Sequence, residues 1–257
     1  MTSPRSTRTW QVREGLRLAG GAPGEQSPCP LGVCDGSGWI LGPEDVARPC
    51  ECRAKRQARR RSRGVSSAIP PRYRGVSFDR PPVSDLARAP ASAPVVDEVR
   101  AFISELDQRL GEGRGLWLMG DVGTGKTALA MLVSKAAVEA GRSVAIYSLP
   151  RMLARIRRTY DAEAGEDSYL DFFNRLASVD LLHVDDLGAE KRSDWVLEQL
   201  YAIVDERYQA ERSIIVTTNL DQAQLEEQIG PRTVSRLVEI CGDPLPLYGD
   251  DLRYRVA

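Results

Sequence analysis

The stretch Gly120-Asp-Val-Gly-Thr-Gly-Lys-Thr127 decides the fold of this 257-residue chain. It matches the phosphate-binding pattern G-x-x-x-x-G-K-S/T and lies between an apolar run that predicts a strand and one that predicts a helix. The glycines let the backbone fold around a phosphate, and the helix adds the positive end of its dipole. Lys126 is expected to reach the β- and γ-phosphates of ATP, and the Thr127 hydroxyl to coordinate Mg²⁺. The residues expected to contact the nucleotide are Gly120, Asp121, Val122, Gly123, Thr124, Gly125, Lys126, Thr127 and Ala128.

Two further apolar runs end in polar clusters. Leu181-Leu-His-Val-Asp-Asp186 places Asp185 where it would hold Mg²⁺ and Asp186 where it would orient the attacking water. Ser213-Ile-Ile-Val-Thr-Thr-Asn219 places Asn219 where its amide would contact the γ-phosphate or the water. An ordinary turn after a strand explains either cluster alone. Together with the glycine loop they predict one site at the carboxyl edge of a parallel sheet.

The second half of the chain alternates helical and strand patterns, which is typical of a parallel α/β domain. Strands are predicted at Leu116–Met119, Ser143–Tyr147, Leu181–Asp185, Ser213–Thr217 and Leu245–Tyr248. Helices are predicted at Val95–Leu110, Lys126–Ala140, Arg151–Tyr160 and Tyr169–Ser178, at Trp195–Ala210, and within Gln222–Ile240. We therefore expect an ATPase domain over residues 95–257, a Pro- and Ala-rich linker and pre-core segment over 65–94, and an N-terminal module over 1–64.

The charge is unevenly distributed along the chain. Residues 1–75 hold 14 basic and 6 acidic side chains, whereas the remainder holds 21 basic and 30 acidic ones. This asymmetry predicts an N-terminal part that meets an anionic or acidic partner. A short helix is expected near Trp10–Leu18, but no apolar run suits a bilayer or a secretory signal, so we expect a cytoplasmic protein without membrane contact. The single histidine, His183, excludes metal sites built from several histidines and disfavours a Ser-His-Asp hydrolase.

Four of the five cysteines fall within 24 residues, as Cys29-x₄-Cys34 and Cys50-x-Cys52. Four thiolates are enough for one tetrahedral Zn²⁺ site, and nothing in the chain predicts a disulfide-forming compartment. Both spacings depart from the usual C-x₂-C, so unpaired structural or redox thiols remain the alternative. A run of seven basic residues over Arg53–Arg63 follows. It suits nucleic-acid phosphates or an acidic protein surface, and a solvated tract is the alternative.

Arg232 and Arg236 lie four residues apart and therefore on one face of a predicted helix. Such a pair can reach a neighbouring subunit's nucleotide as an arginine finger, which supplies positive charge in the transition state. A solvated helix face is the alternative reading of the same pattern.

This combination resembles the AAA+ ATPases of the DnaC/DnaI helicase-loader family, to which the transposition helper IstB is related, over roughly residues 65–257. The motifs that carry the resemblance are Gly120–Thr127, His183-Val-Asp-Asp-Leu-Gly188, Thr217-Thr-Asn219, Arg232-Thr-Val-Ser-Arg236, Ile69-Pro-Pro-Arg-Tyr73 and Leu247-Tyr-Gly-Asp-Asp-Leu-Arg253. The resemblance implies a five-stranded parallel sheet in the order 5-1-4-3-2. It also implies that Arg236 is the arginine finger with Arg232 beside it, and that Arg253 senses nucleotide in its own subunit.

The family further implies that the helix near Arg151–Tyr160 grips single-stranded DNA and that the zinc module docks on the replicative hexameric DNA helicase. One departure concerns the pair Asp185-Asp186, because many relatives of the wider class carry Asp-Glu there. The shorter acid predicts slow ATP hydrolysis that partners or DNA stimulate.

We accordingly expect an ATP-dependent loader of the replicative helicase that self-associates through its ATPase domain. An IstB-type partner of a DNA transposase would share all the nucleotide motifs and is separated by the cysteine module, which such helpers lack. An ATP-binding adaptor with little hydrolysis is the second alternative. A small-molecule kinase is disfavoured because no acceptor-binding motif or arginine-rich lid is evident.

Overall fold

A computed structural model describes residues 29–41, 46–61, 69–160 and 168–254. The helix expected near Trp10–Leu18 lies outside these residues. The chain divides between Arg53 and Ala54 into two compact units. Within the described residues, no helix combines the length and the apolar character needed to cross a bilayer.

The first unit is built around the cysteines. Strand β1 (Trp39–Leu41) pairs antiparallel with β2 (Ala47–Pro49), and Trp39 lies opposite Pro49. Helix α1 (Cys52–Arg61) starts at the last of the four cysteines and carries the basic run as far as Arg61. The boundary expected at residue 64 lies outside the described residues.

The second unit contains one sheet in which every pair of neighbouring strands is parallel. Its strands are β3 (Leu116–Gly120), β4 (Val144–Ser148), β5 (Leu181–Asp185), β6 (Ser213–Thr218) and β7 (Leu245–Leu247). The spatial order is β4-β5-β6-β3-β7. Numbered from β3 along the chain, this is the expected order 5-1-4-3-2, so the predicted fold class is confirmed.

Nine helices of the second unit are described. They are α2 (Val83–Arg88), α3 (Ala93–Ser104), α4 (Leu106–Gly111), α5 (Lys126–Glu139), α6 (Leu149–Tyr160), α7 (Tyr169–Ser178), α8 (Asp194–Gln209), α9 (Gln222–Ile229) and α10 (Pro231–Cys241). The helix predicted over Val95–Leu110 is interrupted at Glu105, where φ is −105° and ψ is 19°. The region Gln222–Ile240 is divided at Gly230, where φ is 90°, and Pro231 begins the next helix because the first turn needs no N–H donor there.

Helices cover both faces of the sheet because alternate strand residues point to opposite sides. Trp117, Ala145 and Tyr147 pack with α6 to α10, whereas Leu118 and Ile146 pack with α2 to α5.

The segment over residues 69–94, which we expected to be a linker and pre-core segment, is part of the packed domain. Val76, Val83 and Leu86 are buried in the same cluster as α3 and α5. The prolines in this segment suggested an extended linker, but the apolar spacing of α2 lets it bury one face. The described part of this segment therefore belongs to the packed core, whereas the expected domain bounds stay a prediction.

Arg207 of α8 is fully buried and joins the ends of three elements. Its guanidinium donates to the backbone carbonyls of Leu176 (2.6 Å), Ala177 (3.2 Å), Val179 (3.0 Å), Asp180 (3.4 Å) and Ser213 (2.6 Å). The first two carbonyls lie at the carboxyl end of α7, where a cation is favourable to the helix dipole. Burial lowers the pKa of Arg207 to about 9, so the group stays protonated at neutral pH.

We expect Arg207→Met to lower the free energy of unfolding by about 3–5 kcal/mol, because several buried carbonyls lose their charged donor. Urea denaturation followed by circular dichroism measures the loss. Arg212→Met is the control, since Arg212 makes a part-exposed ion pair with Asp180 at 3.2 Å and should cost less than about 1 kcal/mol. Equal losses in the two variants would contradict the assignment.

Candidate nucleotide-binding site

The loop between β3 and α5 has a backbone that only glycine adopts readily. Gly120, Gly123 and Gly125 have φ values of 134°, 80° and 95°. A Cβ atom on Gly120 would lie 2.0 Å from the carbonyl oxygen of Leu247. On Gly123 it would lie 2.0 Å from the Asp251 carboxylate. The glycines of the motif are therefore required by both conformation and close approach.

Lys126 begins α5 directly after this loop, and its side chain is buried with 5% exposure. Its ammonium donates to the carbonyl oxygens of Gly120, at 2.8 Å, and Asp121. Burial lowers the pKa of Lys126, while the charges of Asp186, Asp121 and Asp185 oppose the shift. The lysine of the motif thus lies against the loop, and its contact with the phosphates of ATP stays a prediction.

Asp185 at the end of β5 meets Thr127 at the start of α5. The Thr127 hydroxyl donates to Oδ1 of Asp185 at 2.9 Å. The Thr217 hydroxyl donates to the same oxygen at 2.7 Å from the neighbouring strand β6. A carboxylate beside hydroxyl oxygens is the hard donor set that Mg²⁺ prefers, so these residues fit the expected metal.

Asp186 follows with φ of 57°, a left-handed conformation that is uncommon outside glycine. Burial raises the pKa of its carboxyl group and Asp185 adds to the rise, whereas Lys126 and Arg253 lower it. Asn219 lies directly after β6 and is exposed. The structure thus brings Lys126, Asp185 and Asp186 together, and it places Asn219 at the end of the adjacent strand.

A carboxyl-terminal segment lies against the glycine loop. The backbone N–H of Asp121 donates to the carbonyl oxygen of Leu247 at 3.1 Å, and the N–H of Leu252 donates to that of Gly123 at 3.1 Å. The N–H of Gly249 donates to the Asp121 carboxylate at 3.0 Å. Arg253 follows, and its guanidinium donates to the carboxylate of Asp251 over distances of 2.6–3.1 Å. This ion pair lowers the pKa of Asp251.

The two arginines of α10 have different surroundings. Arg236 donates to Asp205 of α8 at 3.2 Å and to Glu239 at 3.1 Å, and it lies 4.1 Å from the ring centre of Tyr208. Arg232 lies in the first turn and is exposed. Arg236 is therefore engaged within its own fold, and its role as an arginine finger stays a prediction.

Sequence reasoning did not assign a role to His183 or Thr217. His183 is fully buried on β5, its Nδ1 lies 2.9 Å from the Ser134 hydroxyl, and its Nε2 lies 3.9 Å from Oδ1 of Asp185. Burial lowers the pKa of His183 to about 3, so the ring is neutral at physiological pH. Both residues looked like ordinary strand positions, because periodicity alone does not show which strand side chains meet a carboxylate.

The four clustered cysteines form a second candidate site in the first unit. All four sulfur atoms lie within 4.8 Å of one another, with Cys29 and Cys50 3.9 Å apart and Cys34 and Cys52 3.5 Å apart. Four Zn–S bonds of about 2.3 Å in a tetrahedron place sulfurs about 3.8 Å apart, so the cluster fits that ion. The backbone N–H groups of Cys34 and Val33 lower the pKa of Cys29 to about 6, which favours a thiolate.

The family model for IstB-like ATP binding proteins matches residues 108–238, from the helix before β3 to α10. The chain belongs to this family. Its motif loop, the acidic end of β5 and the end of β6 all lie within the matched region. The family assignment therefore covers most of the nucleotide site, and the cysteine cluster and residues 239–254 lie outside it.

Replicative helicase loaders are among the relatives that this chain resembles. Replicative helicase loader DnaC of Buchnera aphidicola subsp. Baizongia pistaciae is 30% identical over 46% of this chain and 48% of its own length. DnaC of Escherichia coli K12 is 26% identical over 66% of each chain. The chain thus spans about half to two thirds of these relatives. A crystal structure of the DnaC helicase loader superimposes with a TM-score of 0.60 and 26% identity, covering 69% of this chain and 99% of that one. The second unit accordingly has the AAA+ fold.

We expect Lys126→Ala to weaken ATP binding at least 100-fold, because the loop loses the buried cation that faces the phosphates. Isothermal titration calorimetry with ATP and Mg²⁺ measures the change. Lys135→Ala is the matched control on the same helix, since the Lys135 ammonium donates to the carbonyl oxygen of Val76 at 3.1 Å. The site assignment is wrong if the two variants bind ATP equally well.

Proposed function

We propose that this chain is an ATP-dependent loader of the replicative DNA helicase. The observation that carries the proposal is the superposition of its ATPase domain on almost the whole of the solved DnaC chain, at 26% identity. The match to replicative helicase loaders in two organisms supports it. Loading would take place on DNA in the cytoplasm.

The nucleotide site would bind ATP with Mg²⁺ and hydrolyse it. The glycine loop and Lys126 hold the phosphates, and Thr127 and Asp185 hold the metal, which would offset negative charge on the β- and γ-phosphates. Asp186 orients the attacking water, and Asn219 contacts the γ-phosphate. The short side chain of Asp186 keeps hydrolysis slow until a partner or DNA stimulates it. Slow hydrolysis suits a timed switch more than continuous turnover.

Arg253 would sense nucleotide within its own subunit. Its positive charge lowers the pKa values of both Lys126 and Asp186. Asp251 holds that guanidinium with short ion-pair contacts, and its carboxylate also lies against Gly123. Binding of a phosphate would draw Arg253 away from Asp251, because an ATP phosphate carries the larger negative charge.

We expect Asp251→Asn to bind ATP about fivefold more tightly, since Arg253 is released and one negative charge leaves the loop. Fluorescence titration with a labelled ATP analogue measures the affinity. Asp250→Asn removes the same charge one residue away and serves as the control. A weaker affinity for Asp251→Asn than for this control would show that the carboxylate supports binding instead of competing with it.

Helix α6 supports contact with single-stranded DNA. Its apolar face is buried through Met152 and Ile156, and the four arginines of the helix are exposed. These exposed arginines are Arg151, Arg155, Arg157 and Arg158. A row of guanidinium groups attracts the phosphates of a DNA strand, and its affinity falls as salt rises.

Self-association would place α10 of one subunit beside the nucleotide of the next. Arg232 is already exposed there, and Arg236 would have to leave Asp205 and Glu239 to act as the finger. Subunit assembly would then couple the nucleotide state to the rearrangement of this ion-pair cluster.

The cysteine module would bind zinc and dock on the helicase. The sulfur geometry fits the ion, and the described part of this unit exposes apolar side chains that a partner protein would cover. These are Leu31, Val33, Trp39 and Val46. The basic run that follows on α1 would meet an acidic surface of the helicase or DNA.

A role as the ATPase partner of a DNA transposase is the second candidate. It is favoured by the family model itself, which is that of IstB-like proteins over residues 108–238. This role assigns no binding partner to the cysteine module. An ATP-binding adaptor with little hydrolysis would share the site and differ only in turnover.

Native mass spectrometry of this protein mixed with its host's replicative helicase, with and without ATP, tests the proposal. We expect a defined complex that disappears when Cys29 and Cys34 are both replaced by serine, because the docking module then loses its metal ligands. Cys241→Ser is the matched control, since this cysteine lies outside the cluster and its thiol donates to the carbonyl of Ile214. Failure to form a complex in either nucleotide state would favour the transposase partner.

A further inference from the structure

Thr217 connects β6 to both acidic residues at the end of β5. The residue is 1% exposed, its hydroxyl donates to Oδ1 of Asp185 at 2.7 Å, and it accepts the backbone N–H of Asp186 at 3.0 Å. A hydroxyl has one proton and two lone pairs, so it can satisfy both neighbours at once. One side chain therefore fixes a carboxylate and the backbone that follows it.

These bonds begin where the strand ladder ends. The last β5–β6 pair is Val184 with Val216, so Asp185 would be the next residue opposite Thr217. Beyond that point the carbonyl of Thr217 accepts the N–H of Leu187 at 2.8 Å. The side chain of Thr217 thus continues the connection between the strands across the turn that carries the acids.

We infer that Thr217 is a positioning residue for Mg²⁺ binding and ATP hydrolysis, acting through Asp185 and Asp186. This inference rests on the proposed ATPase function. Oδ1 of Asp185 accepts hydrogen bonds from the hydroxyls of Thr127 on α5 and Thr217 on β6. The orientation of the Asp185 carboxylate is therefore set by two separate elements.

The second bond acts on Asp186. Its φ of 57° is unfavourable for a residue with a side chain, and the N–H donated to Thr217 helps to hold it there. The direction of the Asp186 carboxylate depends on this backbone conformation. Loss of the Thr217 hydroxyl would therefore disturb the metal ligand and the residue that orients water together.

Thr217→Val tests the inference, because valine keeps the branched shape suited to a strand and removes only the hydroxyl. We expect the Mg²⁺ concentration that half-saturates binding of a fluorescent ATP analogue to rise about tenfold, as is usual when a partner of a metal ligand is lost. Affinity for the analogue in EDTA should stay unchanged, since the loop and Lys126 are untouched. The rate of ATP hydrolysis at saturating Mg²⁺ should fall as well.

Thr218→Val is the matched control. Thr218 is the next residue, is fully buried and donates to the carbonyl of Leu187 at 2.7 Å, but it contacts neither carboxylate. We expect it to lower Tm while leaving the Mg²⁺ dependence unchanged. Thr217→Ser keeps the hydroxyl and should retain the wild-type Mg²⁺ dependence. If Thr217→Val does not fold, Thr217→Ala provides the same comparison without the hydroxyl.

The inference is overturned if folded variants that lack the Thr217 hydroxyl show the same Mg²⁺ dependence as Thr218→Val. It is also overturned if Thr217→Ser is as impaired as Thr217→Val, because the hydroxyl would then not be the group that matters. Failure of the wild-type protein to bind ATP at all is a different result, and it would refute the proposed function itself.

Discussion

The rest of the site depends on the two hydrogen bonds that the Asp185 carboxylate accepts. It accepts the hydroxyl of Thr127 from α5 and that of Thr217 from β6. Three elements that are far apart in sequence therefore meet at one oxygen atom. The parallel order of the sheet makes this possible, because it brings the carboxyl ends of β5, β6 and β3 to one edge. A different strand order would separate the phosphate loop from the acidic pair.

Much of this site could be predicted from short motifs in the sequence. The glycine loop, its lysine and the acidic end of an apolar strand carry their chemistry within a few residues, and the family resemblance supplies the strand order. The burial of Arg207 was not predictable in this way, because in sequence it is one charged residue on an amphipathic helix. The role of Thr217 could not be predicted from the sequence for a similar reason. A threonine near the end of a strand has ordinary propensity, and only the packed structure shows that it faces Asp185.

The similarity to known proteins covers the second unit of the chain but not the cysteine cluster of the first. The family match and the DnaC superposition concern the ATPase domain, where the fold, the loop and the acidic strand end agree. The cysteine cluster rests on its own geometry, in four sulfur atoms held at distances that suit a tetrahedral ion. Under the proposed function, the cysteine module would direct the ATP-binding domain to its partner protein.

The contact between the glycine loop and the carboxyl-terminal segment determines when, during translation, the loop can form all its hydrogen bonds. Asp121 and Gly249 are joined by a hydrogen bond although they lie 128 residues apart in the chain. A ribosome makes the loop long before it makes β7 and the segment that follows. Central strands can pair during translation, but the phosphate loop acquires its bracing contacts only after residue 252 has left the ribosome exit tunnel. A nascent chain therefore completes the contacts of this loop only after β7 and the segment up to residue 252 have been made.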